Sequence, residues 1–348
     1  MVRRWSRRMQ RMHNCDFQQV LQEMFAERWL SPKTQSSYTG PVSLFRRYVG
    51  QHVLPSEVSR RDVLNWRLAI VKSSSNPSGI AESSWNNYAR HLKSLYRFGI
   101  SHDLIQLQTS PFENMFLREK KRGRKTLRDM DIVFAREALE LCRRYEVVKG
   151  EPAPMHPAWF WQVVVETFYH TGIRLNQLLS ITPSDIHLKR RRLIASAEGA
   201  KNNYEAVLPI TDALSPYLVT LMTSAQAAGC KRYDQLFNVN LFSVRTRRET
   251  MDVWQVERFF NQLSRYCGSR VTPHRFRHSL ATDLMRSKGR DLYLTQQVCG
   301  HTDIRSTIEY IRPDLDTLRD YLEQRHSHKE QSLKDAVPGW NNQYLSSS

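Results

Sequence analysis

Three short stretches of the chain open helices with residues that a helix would not choose for itself. Thr171-Gly172 carries a helix-ending signal, and Arg174 then opens the next helix. An arginine at that position opposes the helix dipole. The misfit makes sense if an anion sits there, shared by exposed backbone N–H groups and the guanidinium; otherwise the side chain simply swings into solvent. Thr272-Pro273 opens a second helix in which His274, Arg277 and His278 fall at i, i+3 and i+4, and so on one face. Phe276, Leu280 and Leu284 form a ridge expected to face the core, so the imidazole and guanidinium groups are expected to point away from the packing surface. Two histidines so spaced can ligate zinc. The residue after His274 is Arg275 rather than an acid, however, and an arginine between the histidines would repel a cation. The pattern reads as an anion site, with a phosphodiester the natural anion for a chain of this charge. Gly300-His301 precedes a third, short helix with Ile304, Ile308 and Ile311 at core spacing and Tyr310 on its flank. Taken alone, Tyr310 would be a packing residue with its hydroxyl at the rim.

The composition supports a polyanionic partner. The chain has 348 residues, enough for two ordinary domains, and a formal charge of +18. A protein this basic attracts polyanions, of which nucleic acid is the commonest inside cells, although charge alone also fits a merely soluble basic protein. Five cysteines, Cys15, Cys142, Cys230, Cys267 and Cys299, are odd in number and form no C-x-x-C. That argues against a disulfide framework and a cysteine zinc site, and fits a reducing compartment. No apolar run approaches the roughly 20 residues of a membrane span. The Arg-rich start lacks an apolar segment, so it is not a secretory signal. A mitochondrial presequence fits less well, because the basic character continues along the whole chain.

The elements that must position these residues divide into two halves. Residues 1 to 15 carry five arginines and no acid, and read as a flexible basic arm. Ser31-Pro32 signals a helix start, with a kink or break expected at Gly40-Pro41. A second helix is expected from about Ser56 to Val71, then a loop from Ser73 to Gly79. A third runs from about Glu82 to Phe98, with Gly99 as its cap; Arg90, His91, Lys93 and Arg97 lie among Trp85, Tyr88, Leu92 and Tyr96. That helix could cross a DNA groove or present a solvated charged face. Arg118 to Arg128 holds seven Lys or Arg residues and one acid, the composition of a basic interdomain linker. Lys120, Lys121, Arg122, Arg124 and Lys125, with Arg90 and Lys93, are the candidate phosphate contacts. The second half opens with helices at about Asp129–Tyr145 and Pro157–His170. A strand pair follows, Arg192–Glu198 and Tyr204–Ile210 around a turn at Gly199–Asn203. The remainder reads mostly as helices, at Met251–Cys267, Pro273–Arg286, Leu292–Cys299, Arg305–Ile311 and Leu315–Gln324.

Together these pieces resemble the tyrosine recombinases of the phage integrase family. That family's pattern is an arginine after Thr-Gly, a lysine in a hairpin, an H-x-x-R helix, a Gly-His and a tyrosine nine residues beyond that histidine. Here it reads Thr171-Gly172-Ile173-Arg174, Lys201, His274-Arg275-Phe276-Arg277, Gly300-His301 and Tyr310. The likeness is firm over about Pro157 to Tyr310. It is looser over about Phe17 to Asn114, which ends in Ser110-Pro111-Phe112-Glu113-Asn114. Two departures stand out: Gln177 occupies a place where an acid is usual, and Cys299 replaces the usual leucine before Gly-His. The implied fold is mainly α with a small β-sheet. A helical N-terminal core-binding (SAM-like) domain over 17–116 would join, through a linker at 117–128, a mixed α/β catalytic domain over 129–312. Residues 1–16 would be the basic arm, and residues 313–348 a tail whose short helix packs on its own domain or, as the resemblance favours, on a neighbouring subunit.

The resemblance implies a site-specific recombinase with Tyr310 as nucleophile, Arg174 and Arg277 on the phosphate, His301 as a hydrogen-bond donor, Lys201 as general acid and His274 as general base. His278 would buttress Arg277. The arginines and lysine would take the place of a metal, so neither metal nor cofactor is expected. The implied partners are double-stranded DNA with specific recombination sites, three further copies in a homo-tetramer, and DNA-bending accessory proteins. The implied setting is the cytoplasm of a bacterium, phage or plasmid host, on a mobile element, with integration, excision, inversion and resolution all open. Two rivals remain: a type IB topoisomerase-like relaxing enzyme, and a catalytically silent DNA-binding architectural factor.

Overall fold

The computed structural model describes residues 15–119, 126–196, 205–243, 248–286 and 292–299, with isolated positions at 319, 323 and 325. The chain divides into two compact units, Met1–Arg122 and Gly123–Ser348. Residues 1–14 of the expected arm, the hairpin turn and the helices at Arg305–Ile311 and Leu315–Gln324 lie outside the described residues, apart from those isolated positions.

The described part of the first unit is built from helices α1 (Phe17–Glu27), α2 (Pro32–Val49), α3 (Arg60–Ile70) and α4 (Glu82–Ser101). Local chemistry sets most of their starts. Asp16 caps α1 in a reciprocal box with Gln19, Ser31 accepts from Thr34 N ahead of Pro32, and Ser59 pairs with Asp62. The Ser59 box places the start of α3 at Arg60, later than the sequence pattern suggests, because a short 3₁₀ turn occupies Pro55–Glu57. Two glycine and proline signals are overridden by packing. Helix α2 continues through Gly40-Pro41, since Pro41, Val42 and Phe45 are buried together and compensate for the lost N–H. Helix α4 runs past Gly99 to Ser101; Gly99 is not a cap but the place where Ile105 and Val20 press on the helix too closely for a Cβ.

The core of this unit is aromatic. Trp66 stands edge-on to Trp85 at 5.3 Å and lies 4.8 Å from Phe45, while Phe112 meets Phe45 at 5.1 Å. Trp85 Nε1 donates to the Met115 carbonyl, and Asn86 exchanges two hydrogen bonds with the Leu117 backbone, so α4 also fixes the outgoing segment.

The described part of the second unit packs α5 (Asp129–Lys149), α8 (Ser215–Ala227) and α10 (Pro273–Arg286) around α6 (Ala158–Thr171). Helix α6 is buried almost all round, which its run Phe160-Trp161 and Val163-Val164-Val165 requires. Helices α7 (Leu175–Leu179), α9 (Val253–Tyr266) and α11 (Leu292–Cys299) complete the described helices. The sheet has three antiparallel strands in the order β1 (Ile186–His187), β2 (Arg192–Ala195) and β3 (Ala206–Pro209). Leu193 pairs with Leu208 and Ala195 with Ala206; Leu193, Ala195 and Leu208 face the core, and Val207 faces out. The two expected strands thus form, with shorter described ends, and β1 joins them as a two-residue strand too short to show a period. The fold class is mainly helical with one small sheet.

An ion pair with its carboxylate buried ties α5 to α6. Arg136 grips Glu166 with Nε and Nη2, both at 2.7 Å, and lies over the Tyr169 ring. His170 stands 3.5 Å from Glu166. Burial nonetheless holds the His170 pKa below its ordinary value of 6.5; Glu166 pulls the other way, and Arg136 adds to the depression. Because the folded pKa lies below the unfolded one, the stability tied to neutral His170 is complete above about pH 6.5 and is lost as pH falls through the folded value. Urea unfolding of the wild type and of His170→Asn should therefore show the wild type losing more stability than the variant between about pH 7 and about pH 5. Parallel curves for the two proteins would show that His170 does not titrate in this way.

Candidate active site

The turn between α6 and α7 shows why Thr-Gly precedes Arg174. Helix α6 ends on Gly172, whose φ of +58° is left-handed, and Gly172 N closes the helix on the Phe168 carbonyl at 2.9 Å. The missing Cβ also leaves room for the neighbouring helix. A Cβ there would lie 2.8 Å from Leu280 Cδ2 of α10. The next residue, Ile173, is 1% exposed and anchors the turn, with its N–H donating to Thr171 Oγ1. Arg174 then takes an extended conformation as the N-cap of α7 and is held between Ile173 and the buried pair Gln177 and Leu178. Its carbonyl accepts from Leu178 N at 2.9 Å.

Helix α10 brings the second arginine to the same turn. Arg277 Nη1 donates to the Gly172 carbonyl at 2.8 Å, across 105 positions of sequence. The Arg277 side chain is buried, with the residue 5% exposed. This corrects the expectation that the His-Arg face points away from packing. Helix α10 has neighbours on two sides, α6 and α11, so the Arg277 face is covered by the end of α6. Phe276, Ala281 and Met285 are its buried apolar residues, whereas Leu280 and Leu284 are only half-buried. His274 is exposed one turn before Arg277, and its ring stands edge-on to His278 at 4.1 Å. The helix is fixed in rotation by Phe276 against Phe260, 6.3 Å between ring centroids, and by Leu127 N donating to Ser279 Oγ at 2.8 Å.

Arg174, His274 and Arg277 are thus in view, and the structure brings the Arg277 guanidinium to the turn that carries Arg174. Lys201, His301 and Tyr310 lie outside the described residues. Gln177, flagged by its departure from the usual acid, is 3% exposed, and its Nε2 has no hydrogen-bond partner among the described residues. Among the described residues, no three His, Cys, Asp or Glu side chains come together in a way that could hold a metal.

A separate cationic cleft of about 420 Å³ lies in the first unit, lined by Arg28, Arg90, Lys93, Ser94, Arg97 and Phe116. Glu113 holds Lys93 at 2.6 Å and Arg97 at 3.2 Å, and Lys93 chiefly holds the Glu113 carboxyl below the usual carboxylate range. Arg28 reaches Ser94 Oγ at 3.3 Å. Sequence reasoning named Arg90 and Lys93 but not Arg28, which joins them only because the end of α1 packs beside α4. Lys120, Lys121, Arg122, Arg124 and Lys125 lie outside the described residues. No helix among the described residues is long and apolar enough to cross a membrane.

Residues 135–316 match the phage integrase family. A Pseudomonas syringae protein assigned to the XerC tyrosine recombinases is 36% identical over 88% of this chain; the match spans 63% of that relative's own length. A similarly assigned Pseudomonas aeruginosa protein is also 36% identical, with 88% of this chain and 71% of the relative covered. The integrase of transposon Tn1549, in complex with transposon right-end DNA, shares the fold with a TM-score of 0.65 at 16% identity, over 89% of this chain and 99% of that one. The lambda integrase dimer bound to a COC′ core site does so with a TM-score of 0.61 at 18% identity, over 88% and 80% of the two chains. Family match and relatives agree with the arginine-bearing turn: the chain belongs to the phage integrase family of tyrosine recombinases.

Proposed function

We propose that this chain cuts and rejoins double-stranded DNA at specific recombination sites through a 3′-phosphotyrosine intermediate. The observation that carries the reading is the Arg277 guanidinium buried against the Gly172 carbonyl, beside the turn that presents Arg174. A phosphodiester gathers charge on its non-bridging oxygens as it becomes pentacovalent, and fixed guanidinium groups stabilise that charge without having to reorganise. In the proposed reaction Tyr310 Oη attacks phosphorus and gives its proton to His274. The bond to the 5′ oxygen breaks, and Lys201 protonates that oxygen as it leaves. His301 donates a hydrogen bond to the phosphate. Attack by a 5′-hydroxyl of the partner strand reverses these steps, and the phosphotyrosine ester conserves the bond energy for rejoining. The family relatives and the DNA-bound structural neighbours support DNA as substrate. The Pseudomonas relatives favour a bacterial setting; a cytoplasmic location and assembly into a tetramer on paired sites belong to the same proposal. The division into a core-binding domain over 17–116 and a catalytic domain over 129–312 belongs to the same reading.

A duplex carrying a nick near the scissile phosphate should trap the intermediate. The wild type should give a covalent adduct that resists denaturing electrophoresis, and Tyr310→Phe should bind the duplex but give none. An adduct surviving in that variant would remove Tyr310 as nucleophile.

Gly172→Ala places a Cβ against α10 in a left-handed backbone. A loss of about 2–4 kcal/mol in stability is expected. At a temperature where the variant remains folded, adduct formation should slow more than duplex binding weakens, because Arg277 and Arg174 share this turn. Wild-type stability and rate would show that the contact tolerates a methyl group.

Neutralising Arg28 and Arg90 together should lower the slope of log affinity against log salt by about 2, at roughly 0.9 per phosphate contact. An unchanged slope would mean that the cleft meets no phosphate.

A further inference from the structure

The C-terminal end of α1 carries a residue that the fold has no use for. Arg28 N donates to the Met24 carbonyl, and Leu30 N reaches back to the Phe25 carbonyl at 3.4 Å. The first is the last ordinary helical bond; the second, spanning five residues, goes with a left-handed residue just before Leu30, a position that favours glycine. Here that residue is Trp29, with φ +48°. Leu30 and Phe25 both pack on the core, whereas Trp29 does not. The indole is 92% exposed, the most exposed of the large apolar side chains among the described residues. It therefore gives the free protein neither burial nor a favourable backbone, and both terms would improve with glycine. Its neighbour in the chain is Arg28, which lines the cationic cleft and is anchored on Ser94 and over the Phe98 ring.

We propose that Trp29 is a DNA-contacting residue, packing its indole on the deoxyribose edge of a strand whose phosphates seat in the cleft of Arg28, Arg90, Lys93 and Arg97. The inference rests on DNA being the substrate, and adds to that reading the residue and the kind of contact. Charge selects the partner: the cleft lined by the neighbouring Arg28 has four cations, of which Lys93 and Arg97 share the Glu113 carboxylate, which suits a polyanion. A rigid aromatic next to phosphate contacts adds apolar burial that the cations cannot supply, at little cost in side-chain freedom. The contact is with sugar rather than base edges, so it strengthens binding to any sequence.

The test uses the full-length protein, a short mixed-sequence DNA duplex and, as a charge-only probe, inorganic polyphosphate. Trp29→Gly should be at least as resistant to thermal unfolding as the wild type, since glycine suits this backbone. Its affinity for the duplex should fall by about five- to 150-fold, the range for loss of an aromatic contact to nucleic acid. The salt slope should not change, because no charge is removed, and binding of polyphosphate should be unaltered. Duplex affinity equal to that of the wild type overturns the proposal. So does an equal loss toward polyphosphate, which would mean that the cleft itself was disturbed. A loss seen only when two protein copies assemble on paired sites, with single-copy binding intact, also overturns it, because Trp29 would then meet a second copy. Failure of the wild type to bind duplex at all would overturn the DNA reading itself, a result distinct from a Trp29 that makes no difference.

Discussion

The seat of α10 on Gly172 is the constraint from which the geometry of the second unit follows. A buried guanidinium is costly unless its N–H groups meet acceptors, and the Gly172 carbonyl supplies one that belongs to the backbone and cannot rotate away. The left-handed backbone and the close approach of Leu280 both favour glycine at the residue that supplies this carbonyl. Helix α6 must then be rigid to the last turn. The Arg136–Glu166 pair and the all-round burial of α6 provide this, while Ser279 and Phe276 prevent α10 from rotating. Two arginines far apart in sequence become neighbours through a single backbone carbonyl.

The first unit solves a different problem, holding like charges together on one surface. Four cations around one cleft repel, and the fold limits the penalty with a single carboxylate, Glu113, shared between Lys93 and Arg97. The backbone carbonyl of Glu113 also accepts from Arg60 of α3. Beneath this surface the cluster of Phe45, Trp66, Trp85 and Phe112 gives α4 a stiff floor. Asn86, on the same helix, pins the outgoing backbone at Leu117. Charge is thus displayed on an element whose rotation is set by its apolar side.

The same fold in the Tn1549 and lambda integrases, at 16% and 18% identity, shows how loosely sequence is tied to such a scaffold. Helix packing tolerates exchanges of volume and patterning. A glycine held at positive φ tolerates less, because the limit there is backbone strain rather than a summed burial.

Much was legible before any tertiary structure, and for a local reason. Caps such as Ser31, the bounds of α10 and α11, the Thr-Gly end of α6 and the pairing of β2 with β3 are written in neighbouring residues, whose hydrogen bonds close within a few positions. The ordered motifs Thr171-Gly172-Ile173-Arg174 and His274 to Arg277 sufficed for the family, because their order and spacing are properties of the chain itself. What the sequence could not settle turns on contacts between distant elements. Pro41 lies inside a continuous helix because the core on one side of α2 holds it there. Gly99 is a point of close approach rather than a cap because Ile105 folds back on it. Arg28 joins Arg90 only where α1 meets α4, and Arg277 is buried rather than displayed because α6 ends against it. Periodicity names a helix's apolar face but not how many neighbours the helix will have. A second neighbour can bury the face that the pattern marks as polar, and only the packed chain decides whether it does.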